Sequence, residues 1–370
     1  MKRTWKKILD EITPYKPGKP IEEVKRELGL EKVIKLASNE NPMGPSPKVI
    51  KAIEQEAKNV NRYPDGGCFY LRKALSDKLS VPEDNIVFGN GSDEIILLAL
   101  RAFVDPGDEV IVADPTFLIY HIASMIKGAK VRTVPLKNYK YNLDGMLNAV
   151  TDRTRVIFIA NPDNPTGSYV TADELASFID RVPEDVLVFL DEAYYEFATG
   201  GDYPETQPLI KREDRNFVIA RTFSKAYSLA GLRIGYGLAK PDIAAVLNKV
   251  REPFNVNSLA QAAALAALED TEHIDKSVAL VREEKEKFYE VFASLGVSYV
   301  PSRTNFVLVD TRRDSMKVFD YLLQRGVIVR EMSAWGLAGC IRVNIGLKEE
   351  NDLFIKVFTE AMRDIPKQNK

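Results

Sequence analysis

Histidine and cysteine are nearly absent from this chain of 370 residues, and their scarcity excludes several kinds of site. His121 and His273 are the only histidines, so a Ser/His/Asp triad must use one of them and a histidine-rich metal site is excluded. Cys68 and Cys340 lie far apart, which argues against a disulfide framework and a thiolate zinc site. We therefore expect no metal ion, and proton transfer must fall to other side chains.

The sequence also lacks a large net charge and a long apolar run. The formal net charge is −2 at pH 7, with acidic and basic residues interspersed, so neither a nucleic acid nor an anionic membrane surface is an expected partner. No stretch approaches a membrane-spanning length, and residues 1–10 contain no apolar leader. We expect a soluble, cytoplasmic protein whose partners are small molecules and other copies of itself.

The sequence contains a series of short apolar runs that are separated by loops or helical patterns. Continuous apolar strands that alternate with helices are typical of a mostly parallel sheet covered on both faces. The pattern predicts an α/β protein with a seven-stranded sheet in residues 36–270, an N-terminal arm in residues 1–35 and a smaller α/β domain in residues 271–370. The predicted strands are residues 86–89, 110–113, 131–134, 156–160, 186–190, 217–220 and 234–238.

Polar residues concentrate just after these strands, where ligands bind in open α/β sheets. Residues 89–94 form a glycine turn at a helix start, whose free amides can hold a phosphate. Phe117 offers an aromatic face for a flat ring, and two Asn-Pro steps fix Asn164 in a turn. Asp191 ends a strand and Tyr194 follows it, so a carboxylate and a phenol are both available to a heterocycle. Each feature taken alone is also typical of a helix cap, a turn or a core aromatic residue without a bound ligand.

One stretch, residues 219–237, brings two hydroxyls, an amine and a guanidinium into a short segment. Thr222, Ser224 and Lys225 end an apolar run, and Arg233 follows after one loop. A lysine amine can bond to an aldehyde, while hydroxyls and an arginine hold a phosphate, so the set suits pyridoxal phosphate. A solvated surface turn is an equal alternative for this stretch alone, and the other loops favour the ligand site.

Together these segments resemble the fold-type I pyridoxal-phosphate aminotransferases, and among them the histidinol-phosphate aminotransferase family. The resemblance covers nearly the whole chain, and the combination of motifs is specific although no single motif is. It implies the fold of that family, with a large cofactor-binding domain and a smaller α/β domain. The segments that carry it are residues 36–42, 62–65, 91–94, 161–167, 191–195, 221–226 and 253–257.

The resemblance implies a role for each residue around the cofactor ring. Lys225 would bond to the cofactor and, once released, move a proton between substrate and cofactor, and burial would lower its pKa. Asp191 would keep the ring nitrogen protonated, and Asn164 and Tyr194 would bond the phenolic oxygen. Phe117 would stack on the ring, where many relatives carry tyrosine.

The phosphate of the cofactor would be held at the helix start and by the basic stretch. In the family, a tyrosine matching Tyr63 reaches that phosphate from the other subunit, which implies an obligate homodimer with shared active sites. The remaining residues implied for cofactor binding are Gly91, Ser92, Asp93, Thr222, Ser224 and Arg233.

Substrate binding needs a further cation, and Arg342 matches the arginine that holds the substrate carboxylate in these enzymes. Because histidinol phosphate has no carboxylate, its phosphate must take that place, so one anion site would serve both histidinol phosphate and glutamate. Tyr15, Asn39 and Asn164 are further candidate contacts. Arg330 is another, for which a surface ion pair is an equal alternative.

The activity implied is transfer of the amino group between histidinol phosphate and 2-oxoglutarate in histidine biosynthesis. Two alternatives use the same cofactor residues, namely an aromatic-amino-acid aminotransferase and a threonine-phosphate decarboxylase. A third, a non-catalytic pyridoxal-phosphate sensor domain of a regulator, expects a DNA-binding module before the fold, and residues 1–35 are too short for one.

Overall fold

A computed structural model describes residues 4–14 and 18–368. The strands are β1 (Ile34–Lys35), β2 (Ile86–Gly89), β3 (Glu109–Asp114), β4 (Lys130–Pro135), β5 (Thr154–Ala160), β6 (Leu187–Asp191), β7 (Asn216–Thr222), β8 (Gly235–Leu238), β9 (Ser298–Tyr299), β10 (Phe306–Asp310), β11 (Val327–Ile328), β12 (Arg330–Glu331) and β13 (Cys340–Asn344).

The helices lie between these strands, as the alternating pattern predicts. They are α1 (Ile21–Leu28), α2 (Pro47–Glu56), α3 (Phe69–Leu79), α4 (Ser92–Phe103), α5 (Leu118–Lys127), α6 (Leu143–Asn148), α7 (Ala172–Ile179), α8 (Tyr195–Ala198), α9 (Pro241–Lys249), α10 (Ser258–Leu268), α11 (Thr271–Ser294), α12 (Ser315–Leu323) and α13 (Lys348–Asp364). Short 3₁₀ turns are found at Lys7–Asp10, Ala57–Asn59, Glu83–Asn85, Gln207–Lys211, Ala230–Leu232 and Ser333–Trp335.

The central sheet has seven strands in the order β2-β8-β7-β6-β5-β3-β4, so the predicted fold class is confirmed. Neighbours from β7 to β4 are parallel, and β8 alone runs antiparallel to both of its neighbours. Every residue of β6 and of β2 is buried, which explains why these strands read as continuous apolar runs.

The direction of the strands decides where the polar loops meet. The carboxyl ends of β3, β5, β6 and β7 lie at one edge because these strands are parallel. The chain enters β8 at that same edge, since β8 runs the opposite way beside β7. The loop before β8 therefore joins the loops that follow the other strands.

A second unit is built on an antiparallel sheet in the order β12-β13-β10-β9. Its core is mainly aliphatic and contains an aromatic cluster, in which Phe288 and Phe292 of α11 pack against Phe354 and Phe358 of α13. The strand β1 pairs with β11, so the segment after α1 is also tied to this unit. The predicted domain boundaries at residues 35/36 and 270/271 stay predictions.

Two negative features of the described residues complete the fold. No helix among residues 4–14 and 18–368 combines the length and apolar character that a membrane crossing requires. Within the same residues, no group of three or more histidine, cysteine or acidic side chains is arranged to hold a metal ion.

Gly235, at the start of β8, is the tightest packing point between the sheet and α4. A Cβ atom at this position would lie 2.5 Å from the amide nitrogen of Ser92 and 2.9 Å from the carbonyl oxygen of Arg221. Both neighbours are backbone atoms of the sheet and the helix start, so neither can move aside cheaply. Only glycine fits where β8 passes the helix.

We predict that Gly235→Ala lowers the free energy of unfolding by roughly 1–3 kcal/mol, because the added methyl group overpacks this contact. The measurement is a denaturant unfolding curve. Gly231→Ala is the matched control, since its Cβ would meet nothing within 4 Å. Equal unfolding midpoints for the two variants would show that the helix start shifts freely.

Candidate active site

A cleft of about 300 Å³ opens at the carboxyl edge of the central sheet, against the second unit. It is lined by Ser38, Asn39, Glu40, Ser92, Asp93, Phe117, Ile119, Tyr120, Ala160, Pro162, Asn164, Asp191, Ala193, Tyr194, Thr222, Ser224, Lys225, Ala230, Arg233 and Arg342. Most of the residues singled out from the sequence therefore lie in one place, although they are spread over more than 300 positions.

The start of α4 and the loop before β8 form an anion-binding end of the cleft. The first amides of α4 have no partner within the helix and carry the positive end of its dipole. Gly91 precedes them with φ of 80°, and a Cβ there would lie 2.5 Å from a guanidinium nitrogen of Arg233. A side chain at residue 91 would therefore displace the arginine from the helix start.

Hydroxyl groups complete this end. Arg233 Nη1 lies 3.4 Å from Ser224 Oγ, and Arg233 Nη2 lies 3.4 Å from a carboxylate oxygen of Asp93. Thr222 Oγ1 donates to Ser224 Oγ at 3.0 Å, which fixes the two hydroxyls side by side. Free amides, two hydroxyls and a guanidinium are a complete set of donors for a phosphate.

Lys225 lies in the middle of the cleft as a half-buried amine. Its Nζ is 3.5 Å from the carbonyl oxygen of Ser38. Burial lowers the pKa of Lys225 to about 8, and the positive charge of Arg342 acts in the same direction. The amine is therefore neutral much more often near neutral pH than that of an ordinary lysine, as a nucleophile or a base requires.

Asp191, at the end of β6, is a buried carboxyl group with two donors. The hydroxyl of Tyr120 donates to its Oδ2 at 2.5 Å, and the amide of Ala193 donates to its Oδ1 at 3.1 Å. Burial raises the pKa of Asp191 to about 6, and the two hydrogen bonds oppose that rise. A cationic partner in the cleft would complete the stabilisation of the carboxylate.

Arg342 and Asn164 join the second unit to the first across the cleft. Arg342, on β13, donates to Asn164 Oδ1 and, at 3.0 Å, to the carbonyl oxygen of Ala37. Its guanidinium carbon lies 5.0 Å from the ring centroid of Phe306. This arginine is 4 % exposed, so its charge acts in a poorly solvated place where an anion is bound strongly.

Asn39 and Tyr194 form a second polar pair in the cleft. The side-chain amide of Asn39 donates to Tyr194 Oη at 2.7 Å. Asn39 Oδ1 is buried and has no hydrogen-bond partner among the described residues. Opposite them, Phe117 packs edge to face on Tyr120 with ring centroids 5.5 Å apart. The cleft thus offers an aromatic wall and a buried acceptor to a bound ring.

A model of the family described as aminotransferase class I and II matches residues 31–358. The chain belongs to the class I and II aminotransferase family. A histidinol-phosphate aminotransferase from Moorella thermoacetica is 49% identical over 95% of this chain and 91% of its own length. One from Geobacillus sp. is 47% identical over 95% of this chain and 96% of its own.

A solved structure agrees with these sequence relatives. It is the histidinol-phosphate aminotransferase from Sinorhizobium meliloti in complex with pyridoxal 5'-phosphate, which superposes with a TM-score of 0.88 at 31% identity. The alignment covers 97% of this aminotransferase and 98% of that protein. The fold and the family inferred from the motifs are therefore confirmed.

Two residues named from the sequence do not lie in the cleft of this single chain. Tyr63 is 83% exposed and stacks on Phe254 at 4.8 Å between centroids. Arg330 lies over the ring of Trp335 at 5.0 Å and lines a neighbouring cavity. Tyr15 falls outside the described residues. Their predicted roles stay predictions.

Sequence reasoning missed Tyr120 and Ser38 of this aminotransferase. Tyr120 holds Asp191 through its hydroxyl and stacks on Phe158 with centroids 4.8 Å apart. Its spacing of three residues from Phe117, at a helix start, could have indicated that both face the same side. Ser38 acts through its backbone carbonyl, for which side-chain patterns carry no signal.

We predict that Arg342→Gln raises the pKa of Lys225, because it removes a positive charge that disfavours the ammonium form. The reactivity of Lys225 toward an amine reagent should then rise at higher pH than in the native cofactor-free protein. Arg181→Gln is the control, since Arg181 is exposed and pairs with Asp144. An unchanged midpoint in Arg342→Gln would mean that burial alone sets this pKa.

Proposed function

We propose that this aminotransferase moves the amino group between L-histidinol phosphate and 2-oxoglutarate, giving imidazole acetol phosphate and L-glutamate in histidine biosynthesis. The observation that carries the proposal is the arrangement of two anion-binding groups, Arg233 and Arg342, in the cleft that holds Lys225. The names of the sequence relatives and of the structural neighbour agree with it. The resident cofactor we propose is pyridoxal 5'-phosphate.

The residues of the cleft fit this cofactor. Gly91 leaves room beside Arg233 for a phosphate at the start of α4, with Ser224 as a further donor. Asp191 is a buried carboxyl that gains a partner from a cationic ring nitrogen. Asn39 Oδ1 has no donor among the described residues, so it is available to accept a hydrogen bond from a bound ligand. When bound, pyridoxal phosphate supplies an electron sink for the negative charge that develops at the substrate carbon.

The protein's own groups would carry the proton and the orientation. The amine of Lys225, whose pKa is lowered, can take a proton from the substrate carbon in one half reaction and give a proton to a substrate carbon in the other. Asp191 can hold a proton on the ring nitrogen, and Tyr120 keeps its carboxylate aimed into the cleft. Asn164 and Tyr194 would orient the ring from its polar edge.

Arg342 would accept both substrates in turn. A guanidinium binds a phosphate ester or a carboxylate through the same pair of N–H donors. Its contact with Asn164 would couple substrate binding to the ring contacts. One buried cation can then serve histidinol phosphate in one half of the reaction and 2-oxoglutarate in the other.

We further propose a homodimer with shared sites, in which Tyr63 reaches the phosphate of the partner's cofactor. The surface around Tyr63 supports this assembly, since Phe69, Tyr70 and Phe254 are 57%, 73% and 47% exposed. An apolar patch of this kind marks a protein interface. The cytoplasm is the proposed compartment, in keeping with two cysteines that are buried and unbridged.

The same cofactor residues would serve an aromatic-amino-acid aminotransferase or a threonine-phosphate decarboxylase. The relatives favour the first activity, and no feature of the cleft favours either alternative. Substrate discrimination depends on pocket contacts of about 1–3 kcal/mol per group, so it is tested by measurement.

The first test follows the absorbance of the bound cofactor in the purified protein. L-histidinol phosphate alone should convert the cofactor to its aminated form, and 2-oxoglutarate should then restore the original spectrum, because each half reaction is complete without the other substrate. Phenylalanine and threonine phosphate are the comparison substrates. A spectrum that responds to either of these and not to histidinol phosphate would refute the proposed substrate.

The second test addresses the shared site by mixing subunits. Tyr63→Ala and Lys225→Ala should each be nearly inactive as homodimers. Random mixing should recover about a quarter of native activity, since half of the dimers are mixed and each has one intact site. Lys225→Ala mixed with Asp191→Ala is the control, because both groups serve the site of their own subunit. Recovery in the control, or none in the first mixture, would contradict the assignment of Tyr63.

A further inference from the structure

Asp163, the residue before Asn164, lies at the centre of a buried chain of hydroxyl groups. Its side chain is fully buried. Thr116 Oγ1 lies 2.8 Å from Asp163 Oδ1, and Thr166 Oγ1 lies 2.8 Å from Asp163 Oδ2, which also accepts from the amide of Thr166 at 3.2 Å. Thr116 precedes Phe117, so this carboxyl joins the two loops that carry Phe117 and Asn164 into the cleft.

The chain of hydroxyls continues on both sides of the carboxyl. On one side, Tyr141 Oη lies 2.7 Å from Thr116 Oγ1 and accepts from the amide of Ala160 at 3.1 Å. On the other side, Ser168 Oγ lies 2.9 Å from Thr166 Oγ1 and 2.6 Å from the carbonyl oxygen of Tyr139. The four hydroxyl groups and the carboxyl group thus form one continuous line of oxygen contacts.

The hydroxyl groups of this line supply fewer protons than the line has oxygen contacts. The oxygen contacts are Tyr141–Thr116, Thr116–Asp163, Asp163–Thr166, Thr166–Ser168 and Ser168–Tyr139, which makes five. The hydroxyls of Tyr141, Thr116, Thr166 and Ser168 supply four protons. One contact lacks a proton if the carboxyl is ionised.

The position of the missing proton follows from the ends of the line. The carbonyl of Tyr139 can only accept, so Ser168 donates to it, and Thr166 must then donate to Ser168. On the other side, Tyr141 donates to Thr116, and Thr116 donates to Asp163 Oδ1. The contact between Asp163 Oδ2 and Thr166 Oγ1 is left without a hydroxyl proton.

We propose that Asp163 is protonated in the folded protein, donates from Oδ2 to Thr166, and in this form acts as a positioning residue for Phe117 and Asn164. The role in positioning rests on the proposed function. The protonation does not, since it follows from the hydrogen bonds of the protein alone.

The electrostatic surroundings of Asp163 shift its pKa upward, toward the neutral form. Burial raises the pKa of Asp163 to about 6, while hydrogen bonds from the hydroxyls of Thr166 and Thr116, the amide of Thr166 and the hydroxyl of Tyr141 act to lower it. Because the hydroxyl proton of Thr166 serves Ser168, the carboxyl keeps the amide of Thr166 and the hydroxyl of Thr116 as donors but lacks one hydroxyl donor that would lower its pKa. No ion pair to Asp163 occurs within the described residues.

Two tyrosines are the titratable groups that face Asp163; neither supplies a positive charge, and the hydroxyl of Tyr141 lowers the pKa of Asp163 by hydrogen bonding. They are Tyr141 and Tyr120, whose pKa values burial raises well above the usual range, so both stay neutral. Tyr120 in turn contacts the carboxyl group of Asp191. A second negative charge at Asp163 would be added to a buried region that contains one acid and no cation facing it.

A neutral aspartic acid presents one donor and one acceptor, and so does the amide of asparagine in the same place. Asp163→Asn should therefore keep the five contacts of the line and lose only the bond from the Thr166 amide to Oδ2. Asp163→Ala leaves Thr116 and Thr166 without their common partner. We expect kcat and KM for histidinol phosphate to change by about twofold or less in Asp163→Asn, and kcat to fall by about tenfold or more in Asp163→Ala.

The decisive experiment is infrared spectroscopy of the cofactor-free protein at neutral pH. If Asp163 is protonated, the difference between native protein and Asp163→Asn shows loss of a protonated-carboxyl absorption. Loss of a carboxylate absorption instead would overturn the proposal. Asp185→Asn is the control, since Asp185 is 73% exposed and should lose only carboxylate absorption. In Thr166→Val, the protonated-carboxyl absorption should shift in frequency, because its acceptor is gone.

Stability provides a second readout that needs no substrate. An acid whose pKa is higher in the folded than in the unfolded state stabilises the fold at low pH, and this contribution is lost as pH rises through the folded pKa. Asp163→Asn lacks this loss, so its unfolding free energy relative to native protein should rise with pH from about 4 and level off above the folded pKa. A difference that is flat with pH would refute the protonation while leaving aminotransfer untouched.

Discussion

The common direction of the strands in the central sheet is the constraint on which the cleft depends. Parallel strands end at one edge, and each end leaves a loop whose side chains and amides face the same space. β8 reverses direction beside β7, and this reversal brings Arg233 to the same edge as Ser224. Gly235 permits it, because no side chain fits between β8 and the start of α4.

Burial in the cleft shifts the pKa values of its acid and its base in opposite directions. Burial lowers the pKa of Lys225 and raises that of Asp191, so both pKa values lie closer to pH 7 than they would in water. In water these groups would be fully charged at pH 7. Shifts of this kind let each group hold or release a proton near neutral pH, which catalysis by proton transfer needs.

The second unit supplies the other end of the cleft. Arg342 reaches across to Asn164, and Asn305 donates to the backbone carbonyl of Asn39 at 3.1 Å. Lys285 supports the loop before Asn305 by donating to the carbonyls of Ser302 and Thr304. The geometry of the cleft therefore depends on how the two units dock.

Much of this architecture could be read from the sequence, because it depends on local patterns. Continuous apolar runs predict buried parallel strands, and the seven runs found in the sequence correspond to the seven strands of the sheet. Residues such as Lys225, Asp191 and Asn164 stand at strand ends in short motifs, and strand ends share an edge in this kind of fold. The family followed from the same motifs.

The sequence by itself determined the order of strands and helices, the family, and which polar residues face the edge of the sheet, since these follow from periodicity and neighbours along the chain. Only the tertiary structure decided which atoms meet. The bond from Tyr120 to Asp191 and the bond from Thr116 to Asp163 join positions that no local pattern relates. Such contacts are set by packing across the sheet, where distance in sequence says nothing about distance in space.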